Sequence, residues 1–324
     1  MSRLKVDNIE TRSGNNVAMD NALQLKSYTT AERDALSSSQ AGDTIYNTTT
    51  GKVEYYDGSS WVETGATTFN CDFLVIAGGG GGSNGDTTAQ GGGGGAGGYR
   101  NSYNNETSGG NSTSESAFRV VKGLTYEINV GGGGSVATVG NDSYAFTTLR
   151  STGGGNGGQM NVDSRRGQSG GSGGGAGSVG SIIYGSSGSG SKYQGFRGGD
   201  YRSTSPYEAG GGGGAGGIGG DANNTGGAGL ASSITGSSVT RAAGGNGGTS
   251  GGSAPSVNTG DGGEGRRSSS GATAGASGVV ILRWATADAT IGATRTGLTD
   301  GGVQTAGSDS YIVFTGGTGT ITFS

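Results

Sequence analysis

The sequence predicts a mainly β and irregular fold: an N-terminal β-meander module, a polyglycine-II helix bundle framed by short β-strands, and a C-terminal β-hairpin. Three observations predict it. Glycine fills 79 of 324 positions, with only 2 prolines; roughly 7% glycine is usual, and so little proline excludes a collagen helix. The glycines come in separate runs, such as GGGGGAGG at 91–98 and GGGGGAGGIGG at 210–220, punctuated by segments with full side chains. Two apolar segments, FLVI at 73–76 and GVVILRW at 278–284, bracket this zone. Left exposed they would aggregate, so they are expected to pair with each other or share a small sheet.

Composition divides the chain into three regions: 1–68, low in glycine; 69–284, with nearly all the runs; and 285–324, rich in Thr, Gly and Ala. In the first, residues 4–9 alternate like a short strand. TTAERDALSSS reads as a one- to two-turn helix, with Thr29 and Glu32 at capping-box spacing. Strands are expected over Thr44–Asn47, Lys52–Tyr56 and Trp61–Glu63, with turns at Thr50-Gly51 and Asp57-Gly58. A meander this short is marginal alone. Its aromatic face is expected to bury against copies of itself around a symmetry axis, the alternative being a small monomeric β-module.

For the glycine runs there are three readings. A flexible linker is one, and a glycine-rich β-solenoid without a readable repeat is another. The third is an ordered bundle. A polyglycine helix has three residues per turn, about 3.1 Å rise and no internal hydrogen bonds. Its backbone groups point outward and must be satisfied elsewhere. Where every facing position is Gly or Ala, neighbours can approach closely enough to satisfy one another. Runs of six to nine residues would then span about 19–28 Å. The apolar pieces, which punctuate the runs at intervals a folded domain would need, and the bracketing strands favour this lattice. In the last region, SYIVFTGGTGTITFS reads as two strands around a glycine-rich turn.

Composition also limits chemistry. Net charge is −4 with a pI near 4.9, and nothing basic points to nucleic acid. There is no His, which removes the commonest general base and metal ligand. Cys71 is the one cysteine, expected as a small apolar filler. No apolar run reaches membrane-span length, and the opening residues lack a signal-peptide core. Synthesis in a cytoplasm, with release by lysis or virion assembly, is the expectation. GxGxxG matches are accidents of composition, and no GK[ST] follows any of them. Asp221 in GGIGGDANN is a single copy of a glycine-Asp calcium pattern. Asp261 and Glu264 are expected to stay solvated near Arg266 and Arg267, without the cleft that paired-carboxylate hydrolysis needs.

VIAGGGGG, then YEINVGGGGS, then repeated GGGGGAGG, APSVNTGDGGEG and SGVVILRW resemble, over about residues 70–284, the glycine-rich domain found in phage tail fibres. Asp261 and Glu264 depart from its all-glycine version. MSRLKVDNIETRSGNNVAMDNALQLKSY and GDTIYNTTTGKVEYYDGSSWVE look like the virion-attachment region of marine cyanophage fibres. The resemblance implies a polyglycine-helix sandwich, similar to phage host-recognition adhesins, on a trimeric fibre base.

Function is then expected in the loops, since the rods are inert. Tyr, Arg, Ser, Gly and Asn are the vocabulary of binding loops, combining rigid aromatic area with adaptable polar groups. The candidates are Tyr99, Arg100, Tyr103, Tyr184, Lys192, Tyr193, Phe196, Arg197, Tyr201, Arg202 and Tyr207. The alternative for any one Tyr is packing at a bundle end. The expectation is a non-enzymatic tail fibre protein of the virion, a homotrimer without cofactor or metal. It would bind other tail proteins through its N-terminal region and a host glycan or protein through its loops, with no nucleic acid and no membrane insertion. Rival readings are a head, neck or baseplate appendage without receptor contact, a surface-polysaccharide depolymerase and, remotely, an antifreeze protein.

Overall fold

A computed structural model describes residues 25–65, 67–86, 88–159, 165–179, 185–202, 207–250 and 252–324. The strand expected over 4–9 lies outside them. The chain divides into two compact units, with the boundary between Thr67 and Thr68.

In the N-terminal unit, β1 (Ser27–Tyr28), α1 (Thr30–Asp34), β2 (Thr44–Asn47), β3 (Lys52–Tyr56) and β4 (Trp61–Glu63) follow in order, and the strands pair β1-β2-β3-β4. The capping box is present: the Glu32 amide donates to the Thr29 hydroxyl, and the Glu32 carboxylate accepts from the Thr29 amide. Asp57 turns the β3–β4 hairpin by accepting the amides of Ser59 and Ser60. The centre of the unit is polar. Glu54, almost fully buried, accepts from Arg33 and Asn47. Ile45, 5% exposed, is the one buried apolar side chain among the described residues of the unit.

The second unit contains β5 (Thr68–Ile76), β6 (Ala89–Gln90), β7 (Tyr99–Asn101), β8 (Phe118–Val121), β9 (Thr125–Val130), β10 (Ser143–Ala145), β11 (Leu149–Ser151), β12 (Ser178–Val179), β13 (Leu230–Ser232), β14 (Val239–Arg241), β15 (Val279–Ala285), β16 (Leu298–Ala306) and β17 (Asp309–Thr322). The main sheet runs β11-β10-β9-β17-β15-β5-β7, with β8 on β5 and β16 on β17. It nearly closes on itself: the Ser151 hydroxyl of β11 donates to the Val75 carbonyl of β5 at 2.8 Å. The bracketing segments pair antiparallel, Val279 opposite Ile76 through Arg283 opposite Asp72. Their apolar runs are continuous because both faces are covered. Phe73, Val75, Val280 and Leu282 face a core with Phe146, Trp284 and Phe323. Leu74, Ile76, Val279 and Ile281 face Ala96, Tyr99, Ala215 and Ile234, from the glycine runs and their loops. Cys71 is buried in the first core, and burial pushes its thiol pKa up, as suits an unreactive filler.

Between the strands the glycine runs form a lattice. In the run 91–98, Gly92, Gly95 and Gly98 donate to the carbonyls of Gly158, Gly155 and Thr152. Gly93 and Ala96 donate to Gly210 and Gly213, and Gly94 and Gly97 to Gly263 and Gly260. Every third amide therefore meets the same neighbour, the three-residue screw of a polyglycine-II helix. Carbonyls of the same run accept from three further runs: Gly95 from Gly80, Gly93 from Gly175, and Gly94 from Gly245. One rod thus has six hydrogen-bonded neighbours. A flexible tether cannot make this pattern. Ordering so much glycine is costly, and the opposing term is the backbone hydrogen bonding between rods.

The residues after 285 are part of the main sheet, with β17 inserted between β15 and β9 at its middle. One expectation is corrected: TGGTG is not a turn, because Asp309–Thr322 is one strand. Gly317, at φ 91°, sits where the strand leaves β15 and takes up β9, with Val130 on one side and Leu298 on the other. The hairpin turn lies earlier, at Gly307-Ser308 between β16 and β17.

Candidate functional site

The run 91–98 ends at the sheet, where Tyr99–Asn101 forms β7 against β5. Alternation along a strand sends Tyr99 inward and Arg100 outward. The chain then turns through Tyr103–Asn105 and a Ser108–Ser112 bridge. This returns Glu115 to β7, where its amide donates to the Asn101 carbonyl at 2.9 Å. The Arg100 guanidinium grips both Glu115 carboxylate oxygens.

A second turn, residues 192–194, joins the runs 185–191 and 195–199 and meets this loop. The Tyr99 amide donates to the Gln194 carbonyl at 3.0 Å. The Gln194 side-chain oxygen accepts the Thr152 amide at 2.8 Å. That bond fixes the orientation of the carboxamide and leaves its NH2 to be presented. Tyr193 is 56% exposed, with its backbone at φ 66°. A bulky residue in this left-handed region is strained, and such strain persists only where the surroundings impose it. The Lys192 ammonium lies 4.6 Å from the Tyr193 ring centroid. Arg100, Ser112, Glu115, Lys192, Tyr193 and Gln194 line an open groove of about 320 Å3.

The predicted loop residues do not form one site. Arg100, Lys192 and Tyr193 meet in the groove. Tyr99 is corrected outright: it is fully buried on β7, so it packs the second core. Tyr103 is half-buried under the Arg283 guanidinium, 4.7 Å from its ring centroid. Phe196 is half-buried within a rod, its carbonyl accepting from Gly173. Tyr201, Arg202 and Tyr207 lie beyond the rod 195–199. That rod carries the chain about 15 Å from the groove at roughly 3.1 Å per residue. Tyr201 and Tyr207 are half-buried and Arg202 is exposed. Tyr184 falls outside the described residues. Ser112, Glu115 and Gln194 carried no signal in the sequence, since only the fold brings them to Arg100 and Tyr193.

Arg197 is held in place by its partners. It grips Asp221 with two hydrogen bonds of 2.9 Å, and Asp221 also accepts the Asp200 amide. This uses up the glycine-Asp motif as a clamp between two turns. Hydrogen bonds from Arg197 hold the Asp221 carboxyl below its ordinary 3.8. A lowered carboxylate pKa contributes stability that is present above 3.8 and lost as pH falls through the folded value. Amide protection of Asp200 and Ala222 is therefore expected to fall selectively below pH 3.8. Hydrogen exchange checks this, and Asp221→Asn should give the same loss at neutral pH. Asp261 is also corrected: it is half-buried, its carboxylate accepts the Ala243 amide, and burial raises its pKa. Arg266 is buried too, donating to the carbonyls of Gly252 and Gly271.

In the N-terminal unit a groove of about 370 Å3 is lined by residues that include Arg33, Leu36, Tyr56 and Trp61. Among the described residues, no three His, Cys, Asp or Glu side chains are placed to share a metal ion. No helix there is long and apolar enough to cross a membrane.

The sequence profile of a glycine-rich domain matches residues 47–285, about three quarters of the chain. No curated protein matches it.

Proposed function

We propose that this chain, which belongs to the glycine-rich domain family, is a tail fibre protein of a phage virion that attaches to the host cell surface by binding and without chemistry of its own. The observation that supports this is the division of labour in the second unit. Rods such as 91–98 spend their backbone on six neighbours and leave recognition to the turns. The 192–194 turn bears exposed Lys192 and Tyr193, and Tyr193 is held out in a strained backbone. Receptor contact is assigned first to the groove of Arg100, Lys192 and Tyr193, and second to the opposite loops with Tyr201 and Arg202. Arg197 serves the fold.

Assembly is assigned to the N-terminal unit. A unit of this size whose described residues bury one apolar side chain, Ile45, is marginal alone. Tyr56 and Trp61, in ring contact at 5.5 Å, stand at its groove with Leu36. Association of three copies, and with other tail proteins, would cover them. The product is then made in the host cytoplasm and ends on the virion tail.

The test is adsorption. Purified protein should bind host cells and block phage adsorption. Replacing Lys192, Tyr193, Tyr201 and Arg202 with alanine together should reduce blocking about tenfold or more, equivalent to roughly 1.4 kcal/mol of binding. Wild-type protein that neither binds cells nor blocks adsorption would end this reading.

A further inference from the structure

We infer that the groove between Arg100 and the 192–194 turn takes a carboxylated sugar, a uronic-acid residue of a surface polysaccharide. The inference deepens the adhesive reading and rests on it for the source of the sugar. The Tyr193 ring offers an exposed apolar face to the C–H face of a pyranose. The Arg100–Glu115 pair places donors and acceptors side by side on one wall, the arrangement that neighbouring hydroxyls require. The Gln194 carboxamide, held by the Thr152 amide, adds an oriented donor.

Charge selects the acid. Two cationic groups face one carboxylate in the groove, and Arg100 already holds that carboxylate. Among the described residues the Lys192 ammonium has no ion-pair partner, and it lies over the Tyr193 ring. A sugar stacked on that ring would bring a ring carboxylate within reach of the ammonium. At about 320 Å3 the groove is at the small end of ligand pockets, which run from about 300 Å3, so it suits one or two sugar units better than a folded partner.

The experiment titrates the full chain with tri-galacturonic acid, the corresponding neutral galactose trisaccharide and a glutamate-rich peptide. The acidic trisaccharide should bind about tenfold more tightly than the neutral one, with an affinity that weakens in salt. Tyr193→Gly removes the ring at a φ that glycine prefers. It should abolish binding while leaving the melting temperature unchanged or raised, which a merely structural role for the ring would not allow. Lys192→Ala should erase the preference for the acid and keep residual binding of the neutral sugar. No binding of the uronate, equal binding of both sugars, or a preference for the peptide would each overturn the inference. If the uronate fails while the Tyr201 and Arg202 loop still governs adsorption, the groove assignment falls and the adhesive reading stands. If the uronate binds but no loop substitution alters adsorption, the reverse holds.

Discussion

Replacing Gly94 with alanine is expected to destabilise the second unit by about 3 kcal/mol, the upper end of the usual cost of overpacking. In a unit of this size that lowers the melting temperature by about 6–12 °C. A Cβ on Gly94 would overlap the Gly80 carbonyl, with the Gly81 backbone close behind. Neither atom belongs to a side chain that could rotate away. Gly80 cannot retreat, because its own amide is bonded to the Gly95 carbonyl and its carbonyl accepts from Gly263. The penalty therefore spreads over at least three rods. Gly132→Ala is the control, since the nearest atom to its Cβ would be the Asn141 side-chain Nδ2 at 3.6 Å. It should leave the melting temperature within about 1–2 °C, as a surface-type substitution does. Thermal unfolding followed by circular dichroism compares the two. Equal effects would mean that the rods are loosely packed chains.

The second large effect is expected from Arg283→Met. Arg283 lies on β15, and its side chain is 9% exposed. It donates to the Asp309 carboxylate and the Ile234 carbonyl at 2.9 Å and to the Ala306 carbonyl at 3.1 Å, with its guanidinium against the Tyr103 ring. One side chain thus ties the β13–β14 hairpin loop, the β16–β17 hairpin and the turn after β7 to the sheet. Breaking a buried pair costs about 3–5 kcal/mol. The lower end applies, because Asp309 keeps part of its contact with water. Asp309→Asn in the same chain should recover part of the loss. The deficit should also depend on pH. Burial already raises the Asp72 carboxyl pKa, and the Arg283 charge works against that rise. Without Arg283 the pKa climbs further. A raised carboxyl pKa subtracts stability as pH rises through the folded value. The deficit of Arg283→Met should therefore be smaller in acid than at neutral pH. Urea unfolding at two pH values measures it.

Much of the fold was legible because local chemistry decided it. Turn dipeptides at Thr50-Gly51 and Asp57-Gly58 marked the meander, and the capping box marked α1. The apolar runs at 73–76 and 279–282 had no use outside a sheet covered on both faces, and they pair there. Where reading failed, glycine was ambiguous or the partner was distant. Gly316-Gly317 has the composition of a turn, yet Gly317 serves a strand changing neighbours. Tyr99 looked like a loop aromatic because it follows a glycine run, but the run ends at the sheet and carries Tyr99 into it. Arg197 looked free to bind because Asp221, its partner, lies across a rod. In the groove, Arg100 and Tyr193 were visible as residue types, whereas Glu115 and Gln194 became visible only through the two turns that meet there.

The three-residue screw of the rods also sets a grammar for how such a chain can change over generations. Each residue turns the rod by roughly 120°. A single deletion inside 91–98 would hand every later amide to the wrong neighbour, while losing three residues would restore every facing one turn shorter. Turns such as 192–194 lie outside this three-residue count, so residues added there, away from the Gln194 bonds to Tyr99 and Thr152, shift neither rod. Variation in length is therefore free at the tips and counted in threes within the body, so binding surfaces can be exchanged wholesale while the scaffold that presents them keeps its register.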